Sequence, residues 1–247
     1  MKILAVIPAR YASTRLPGKP LISIAGKSMI ERVWERARRA SLVSGVIVAT
    51  DDERIAKAVK SFGGEVALTR ADHRSGTERV AEVAAAHPDA EILVNVQGDM
   101  PLIEPAAIDA AVEAVRGDED VRMGTLATPI TNPAEIMDPN VVKTVLDFDG
   151  NALYFSRAPI PWVRDRQGPV HAKHLKHLGL YVFRRDALLE FATFPQGDLE
   201  RIEQLEQLRW LENGYRIRVA ETEYKSIEVD TPEDVKRVEQ ALARGAG

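Results

Sequence analysis

The chain has 247 residues, 45% of them hydrophobic, with 33 Lys and Arg against 37 Asp and Glu for a formal net charge of −4, and it contains no cysteine. That length supports one large domain or two small ones, while the missing cysteines exclude a disulfide framework, a thiolate nucleophile and a Cys-type zinc site. No apolar stretch approaches the ~18 residues that cross a bilayer, and the acidic balance does not suit a general nucleic-acid binder with its broad basic face, so neither membrane nor nucleic acid is expected as a partner. Residues 1–7 lead straight into a core strand instead of a signal peptide, which makes the cytoplasm the expected location.

The first 30 residues carry five cations, Lys2, Arg10, Arg15, Lys19 and Lys27, and no Asp or Glu. In an acidic chain, that reversal points to an anionic ligand. The apolar run 3–7 reads as a strand, and it ends in PARYASTRLPGKPL at 8–21, whose prolines and glycine prevent an ordinary helix. A cationic loop at the carboxyl end of a strand, backed by a helix, is where open α/β sheets hold phosphates. A Walker A loop needs Gly where Ser13 stands and Ser or Thr where Pro20 stands, and a dinucleotide fingerprint needs three glycines where this loop has one. The grip must come from side chains, Arg as a planar fork and Lys as a point charge.

Ser28 and Glu31 make a capping box before Met29, Ile30, Val33, Trp34 and Ala37, which share one helical face. A strand follows at 46–49, then a helix over 52–62 with Ile55, Val59 and Phe62 on one stripe, then a strand at 65–68. Ser75 with Glu78 repeats the capping device before Val80, Val83 and Ala84, and the buried strand 92–96 runs into Gln97, Gly98 and Asp99. Alternating strands and amphipathic helices predict βαβ units in an α/β fold with a doubly wound, mainly parallel, Rossmann-like sheet.

Past about residue 120 the rhythm changes. Runs at 123–128, 141–146, 152–155 and 178–183 read as strands separated by loops rich in Pro, Asp and Asn, which predicts a smaller mixed C-terminal elaboration. Residues 156–176 hold three prolines and no periodicity, the mark of a long functional loop. A helix is predicted over 199–213, ended by Gly214; a strand at 227–229 carries Asp230 at its end, and Thr231 caps a last helix with Pro232 at its first position and Glu233 and Asp234 in its first turn. One domain spans 1–247, in two halves at 1–120 and 121–247. If the basic loop holds a polyphosphate, a divalent metal should accompany it, and Asp99 and Asp230 at two strand ends are chemically sufficient for Mg²⁺, which takes one or two carboxylates beside phosphate and water.

These residues, in this order, resemble the sugar-acid cytidylyltransferases. The matching segments are IPARYASTRLPGKPL at 7–21, VATDD at 48–52, TRADHRSGTERVAEV at 69–83, VNVQGD at 94–99, ALYFSRAPIPW at 152–162, KHLGLYVFRRD at 176–186, EQLEQLRWLENG at 203–214 and VDTPEDV at 229–235. The resemblance implies a fold of the nucleotide-diphospho-sugar transferase type, with 1–120 the nucleotide-binding half and 121–247 the sugar-binding and dimerisation half of a homodimer. It further implies that Arg10, Arg15 and Lys19 hold the triphosphate of CTP, that Arg74, Ser75, Gly76 and Thr77 with Gln97 bracket the cytidine, and that Asp99 and Asp230 bind Mg²⁺. Arg157, His177, Tyr181, Glu206 and Gln207 would line the sugar side, with Arg157 facing the substrate carboxylate. Arg10, Lys19, Asp99 and Asp230 would carry the catalysis.

The implied reaction moves CMP from CTP to the anomeric hydroxyl of a 3-deoxy-octulosonic sugar acid (Kdo) and releases pyrophosphate, a step toward lipopolysaccharide. One position departs from the family pattern Q-G-D-E-P: Met100 stands where its glutamate is expected. Loss of a carboxylate there would make the site less negative. It keeps two other readings open, the same reaction on the 8-amino-8-deoxy analogue or another sugar acid, and a catalytically silent nucleotide-binding relative.

Overall fold

Side-chain alternation along the first strand sets the layering of the molecule. The computed structural model describes residues 1–12, 16–164 and 173–245. In β1 (Ile3–Ala9), Ile3, Ala5, Ile7 and Ala9 join one buried apolar cluster while Leu4 and Val6 join another, because successive strand residues face opposite sides of a sheet. Both faces of this strand must therefore be covered.

The first portion of the chain supplies most of that cover. After β1 come a 3₁₀ turn at Lys19–Leu21, a small hairpin of β2 (Ser23–Ile24) and β3 (Lys27–Ser28), α1 (Met29–Ala37), β4 (Gly45–Thr50), α2 (Glu53–Ser61), β5 (Glu65–Leu68), α3 (Gly76–Ala86), β6 (Ile92–Asn95) and α4 (Pro105–Arg116). Ile30, Val33 and Trp34 of α1, Ile55 and Val59 of α2 and Ile108, Val112 and Val115 of α4 pack on one face, and Val80, Val83 and Ala84 of α3 pack on the other. Each such apolar side chain, fully buried, contributes roughly 1.5–3 kcal/mol. The helix starts follow the capping chemistry of the sequence: Ser28, Asp52 and Ser75 each accept a backbone N–H from the first turn of their helix.

The second portion adds β7 (Met123–Pro129), α5 (Ala134–Met137), a hairpin of β8 (Lys143–Leu146) and β9 (Ala152–Ser156), β10 (Leu175–Arg184), α6 (Arg185–Phe191), α7 (Asp198–Glu203), α8 (Leu208–Glu212), β11 (Arg218–Glu221) and α9 (Pro232–Ala243). The main sheet runs β11-β7-β10-β6-β1-β4-β5, with β8 and β9 leading off β10. Neighbours β6-β1-β4-β5 are parallel, as are β7 and β11, while β10 runs antiparallel to both β6 and β7. The sheet is thus mainly parallel with helices on both faces, as the alternation predicts, and one reversed strand joins the two portions.

Three local expectations need correction. The helix predicted over 199–213 is two short helices, α7 and α8, broken at Gln204, whose φ is 54°. Across the break Arg209 forms a bidentate pair with Glu200, both nearly fully buried, at 2.6 and 2.7 Å; this pair and the burial of Leu205 and Leu208 outweigh continuation of the helix. Residues 227–229 are extended but belong to no sheet; the Val229 N–H donates to the Asp99 carbonyl at 3.0 Å instead. Helices α4 and α6 and strand β11 were not anticipated. The final helix starts as its sequence dictates, with a complete Thr231–Asp234 capping box, and Val238 and Ala241 dock it on Ile24, Met29, Leu102 and Val229.

Candidate active site

The carboxyl end of β1 opens into the basic loop, and the structure brings its lysine onto both predicted aspartates. Lys19 Nζ donates to Asp99 Oδ2 at 2.8 Å and to Asp230 Oδ1 at 3.0 Å. Gly18 has φ +68°, a left-handed turn that suits glycine, and it delivers Lys19 into the 3₁₀ turn. Burial alone would lower the Lys19 ammonium, but Asp99 and Asp230 outweigh it and hold the group above its ordinary range, so it is charged at any working pH. Asp99 reaches this point because the chain turns at Gly98, where a Cβ would stand 3.1 Å from the Pro8 carbonyl. Asp230 reaches it through the Val229–Asp99 backbone bond and the cap of α9, whose Asp234 also accepts from the Asp230 N–H at 3.2 Å.

Beside this pair lies a cavity of about 220 Å³ bordered by Arg10, Lys19, Gly76, Gln97 and Asp99. The amino end of α3 abuts it. Gly76 permits that approach, since a Cβ there would lie 3.2 Å from the Pro8 ring. Arg10 donates from Nη2 to the carbonyls of His73 and Ser75, pinning the 73–75 loop to the end of β1. Two carboxylates that converge on a single cationic nitrogen next to a polar cleft are a donor set that fits a small divalent ion with phosphate ligands.

Arg74 is largely exposed and pairs with Glu78 at 2.8 Å. It lines a separate cavity of about 600 Å³ against α3, together with Arg70, His73 and Glu82, where Arg70 pairs with Asp72 and His73 with Glu82. That larger hollow thus has its charges matched internally, whereas the smaller one brings together Arg10 and Lys19. Arg15 lies outside the described residues, as does most of the central part of the 156–176 loop.

Three of the predicted sugar-side residues, His177, Tyr181 and Gln207, line a third cavity of about 480 Å³ together with Lys176 and Glu228, while Glu206 lies behind it and is not in its lining. His177 and Tyr181 come from β10 and Gln207 from the break before α8. Burial drives the His177 imidazole down to about 3, so it is neutral. Its Nε2 lies 2.9 Å from Thr125 Oγ1, whose hydroxyl donates to the Leu180 carbonyl at 2.7 Å; His177 must then donate from Nε2, leaving Nδ1 as an acceptor. Burial, reinforced by Glu206 and Glu228, pushes the Tyr181 phenol well above its usual range, and its OH donates to Gln207 Oε1 at 2.9 Å. Glu206 accepts from the Thr77 hydroxyl at 2.6 Å, tying this cavity to α3. Burial raises the Glu206 carboxyl against the pull of nearby hydroxyls and Arg209. Gln207 Nε2 is buried with no hydrogen-bond partner in the protein, a donor left to a ligand, whereas Glu206 Oε1 faces the Arg209 guanidinium at 4.0 Å.

Arg157 is placed differently from the expectation. It donates from Nε to the Glu203 carbonyl, from Nη1 to that of Pro139 and from Nη2 to that of Gln204. Its fork clamps main chain around the helix break and does not border the cavity. Met100 is 1% exposed and packs in the core, so the missing carboxylate of the Q-G-D-E-P pattern does not change the charge of the cleft. Lys176 and Glu228 were overlooked by sequence reasoning. Both fall in or beside matching segments, Lys176 pairs with Glu135 at 3.4 Å, and the Glu228 carboxyl, though its side chain reaches solvent, is pushed up by desolvation in the recess and then by Asp99 and Asp230.

Comparison with known proteins adds an independent line. Residues 4–221 match the family model for cytidylyltransferases. The chain is 61% identical over 237 residues, 96% of its length and 93% of the relative's, to a 3-deoxy-manno-octulosonate cytidylyltransferase of Solibacter usitatus. It is 57% identical over 248 residues, 98% of its length and 99% of the relative's, to the protein of the same name from Syntrophotalea carbinolica. Among solved structures, a CMP:2-keto-3-deoxy-manno-octonic acid synthetase complexed with CTP superposes with a TM-score of 0.93 at 43% identity, covering 99% of each chain.

Proposed function

The chain belongs to the cytidylyltransferase family, and from that premise we propose how its site transfers CMP from CTP to a 3-deoxy-octulosonic sugar acid (Kdo). It is an enzyme of nucleotidyl transfer. The anomeric hydroxyl of the acid attacks the α-phosphorus in line; the new O–P bond forms as the bond to the β-phosphate breaks, the hydroxyl proton is released and pyrophosphate departs. The protein positions the reactants and offsets charge, with no covalent intermediate.

Lys19 and Arg10 hold the triphosphate and the leaving pyrophosphate, with Arg15 from the same loop. Ser75, Gly76 and Thr77 at the amino end of α3 bracket the cytidine with Gln97, and Arg74 covers it. Asp99 and Asp230 hold Mg²⁺, which when bound offsets phosphate charge. Tyr181, His177, Glu206 and Gln207 orient the acceptor, and Arg157 shapes the wall behind them. Residues 1–120 serve the nucleotide and 121–247 the acceptor and the contact of a homodimer. The enzyme works in the cytoplasm, and its product feeds lipopolysaccharide synthesis.

The observation that carries this reading is Lys19 seated between Asp99 and Asp230 at 2.8 and 3.0 Å, beside the cleft bordered by Arg10, Gly76 and Gln97. Incubating the protein with Mg²⁺, each nucleoside triphosphate and a panel of keto-sugar acids, and measuring pyrophosphate, tests it. Release is expected only with CTP and Kdo present together; none with that pair would refute the assignment.

A further inference from the structure

Asn95, at the end of β6, is 1% exposed and lies between the two cavities. Its Oδ1 accepts from Gln97 Nε2 at 3.2 Å, and its Nδ2 donates to Thr77 Oγ1 at 3.2 Å. The Thr77 hydroxyl donates onward to Glu206 Oε2 at 2.6 Å. A buried carboxamide thus connects a residue of the nucleotide cleft with one of the acceptor side, through groups that have little freedom to exchange roles.

The polarity of this chain follows from donor counting. The Thr77 hydroxyl gives its single hydrogen to Glu206 and therefore accepts from its other neighbour. That neighbour therefore presents Nδ2, which turns Oδ1 toward Gln97. Gln97 in turn donates and directs its own carboxamide oxygen away from Asn95. Glu206 fixes the orientation of Asn95, and Asn95 fixes that of Gln97.

We propose that Asn95 is a positioning residue for the transfer reaction, holding Gln97 and Thr77 of the nucleotide side and, through Thr77, Glu206 of the acceptor side in one hydrogen-bonded chain. It touches neither substrate. The inference rests on the cytidylyltransferase reading and adds to it a residue whose loss is felt by both substrates.

Asn95→Asp is the discriminating variant because it keeps the shape of the side chain. Its carboxylate still accepts from Gln97, but it has no N–H for Thr77 and competes with Glu206 for the one hydroxyl hydrogen. The arm through Thr77 to Glu206 should break while the bond to Gln97 holds: KM for the sugar acid rises about tenfold, the cost of one lost buried hydrogen bond, and KM for CTP rises severalfold less, because Gln97 keeps its place. Asn95→Leu breaks both arms, so both KM values should rise, and adding Thr77→Val to it should raise the sugar-acid KM no further, since the two changes cut one path. Equal effects of Asn95→Asp on both substrates, or a loss of thermal stability with both KM values unchanged, would overturn the proposal. Absence of pyrophosphate release by the unaltered protein would instead refute the assigned reaction.

Discussion

The nucleotide cleft and the acceptor cavity both carry charged residues on their walls, but their predicted contact groups are set differently. Around the first, Lys19, Asp99 and Asp230 remain partly exposed and in contact, and the ammonium is held charged by its partners. In the second, burial keeps His177 and Tyr181 neutral, and they act through oriented hydrogen bonds. The difference matches the ligands proposed for them. A triphosphate needs compensating charge, whereas a polyhydroxylated acid needs donors and acceptors of fixed direction, and a low-dielectric wall makes each misplaced hydroxyl costly.

The sharpest way to break the comparison is to neutralise the charged side. Asp99→Asn keeps shape and removes one of the two carboxylates, so turnover should fall about a thousandfold or more, with the melting temperature moved by no more than a few degrees. Steady-state pyrophosphate release and calorimetry check the two halves of that statement, and a rate near wild type would end the metal-binding role. Next in size, Lys19→Ala removes a charge-assisted contact of ~1.5–3 kcal/mol, so KM for CTP should rise about tenfold to a hundredfold while KM for the sugar acid changes little. The opposite split would put the basic loop on the wrong substrate.

Charge was also what made one side legible in advance. Thirty residues without an acid pointed to Lys19, and the turn after an apolar strand pointed to Asp99, because sign asymmetry and strand ends are local properties; Asp230 was reached from a predicted strand that the chain does not form. The strands and the serine caps of the first portion were equally readable from alternation and spacing, although Ser28 and Ser75 cap their helices without the reciprocal glutamate bond of a full capping box. The acceptor side was not. Its geometry depends on the break at Gln204, which the buried Glu200–Arg209 pair enforces against good helical spacing, and no local pattern announces a tertiary ion pair. The role of Met100 was misjudged for the same reason: adjacency to Asp99 suggested the cleft, while the turn sends the side chain into the core.

A smaller effect separates wall from ligand contact within the acceptor cavity. Arg157 joins three main-chain carbonyls around the break, so Arg157→Ala should lower stability by about 1–3 kcal/mol and raise the sugar-acid KM through a loosened wall. An urea titration and acceptor kinetics test both. If KM rose with stability untouched, the guanidinium would be a direct carboxylate contact after all.

The last effect concerns the neutral imidazole, and it bears on stability and not on turnover. The unfolded chain protonates His177 near pH 6.5, while the folded chain resists protonation until about pH 3. Below 6.5 the unfolded state binds the extra proton, so stability is fully present above that pH and is lost progressively as pH falls toward 3. Replacing the ring with a neutral amide, His177→Gln, keeps an N–H for Thr125 and removes the titration. Its denaturation midpoint should therefore fall less steeply than wild type between pH 6.5 and 4, even if the variant is somewhat less stable at neutral pH. Parallel slopes for the two proteins would mean that the imidazole is protonated in the folded state, and the acceptor cavity would then share the charged character of its neighbour.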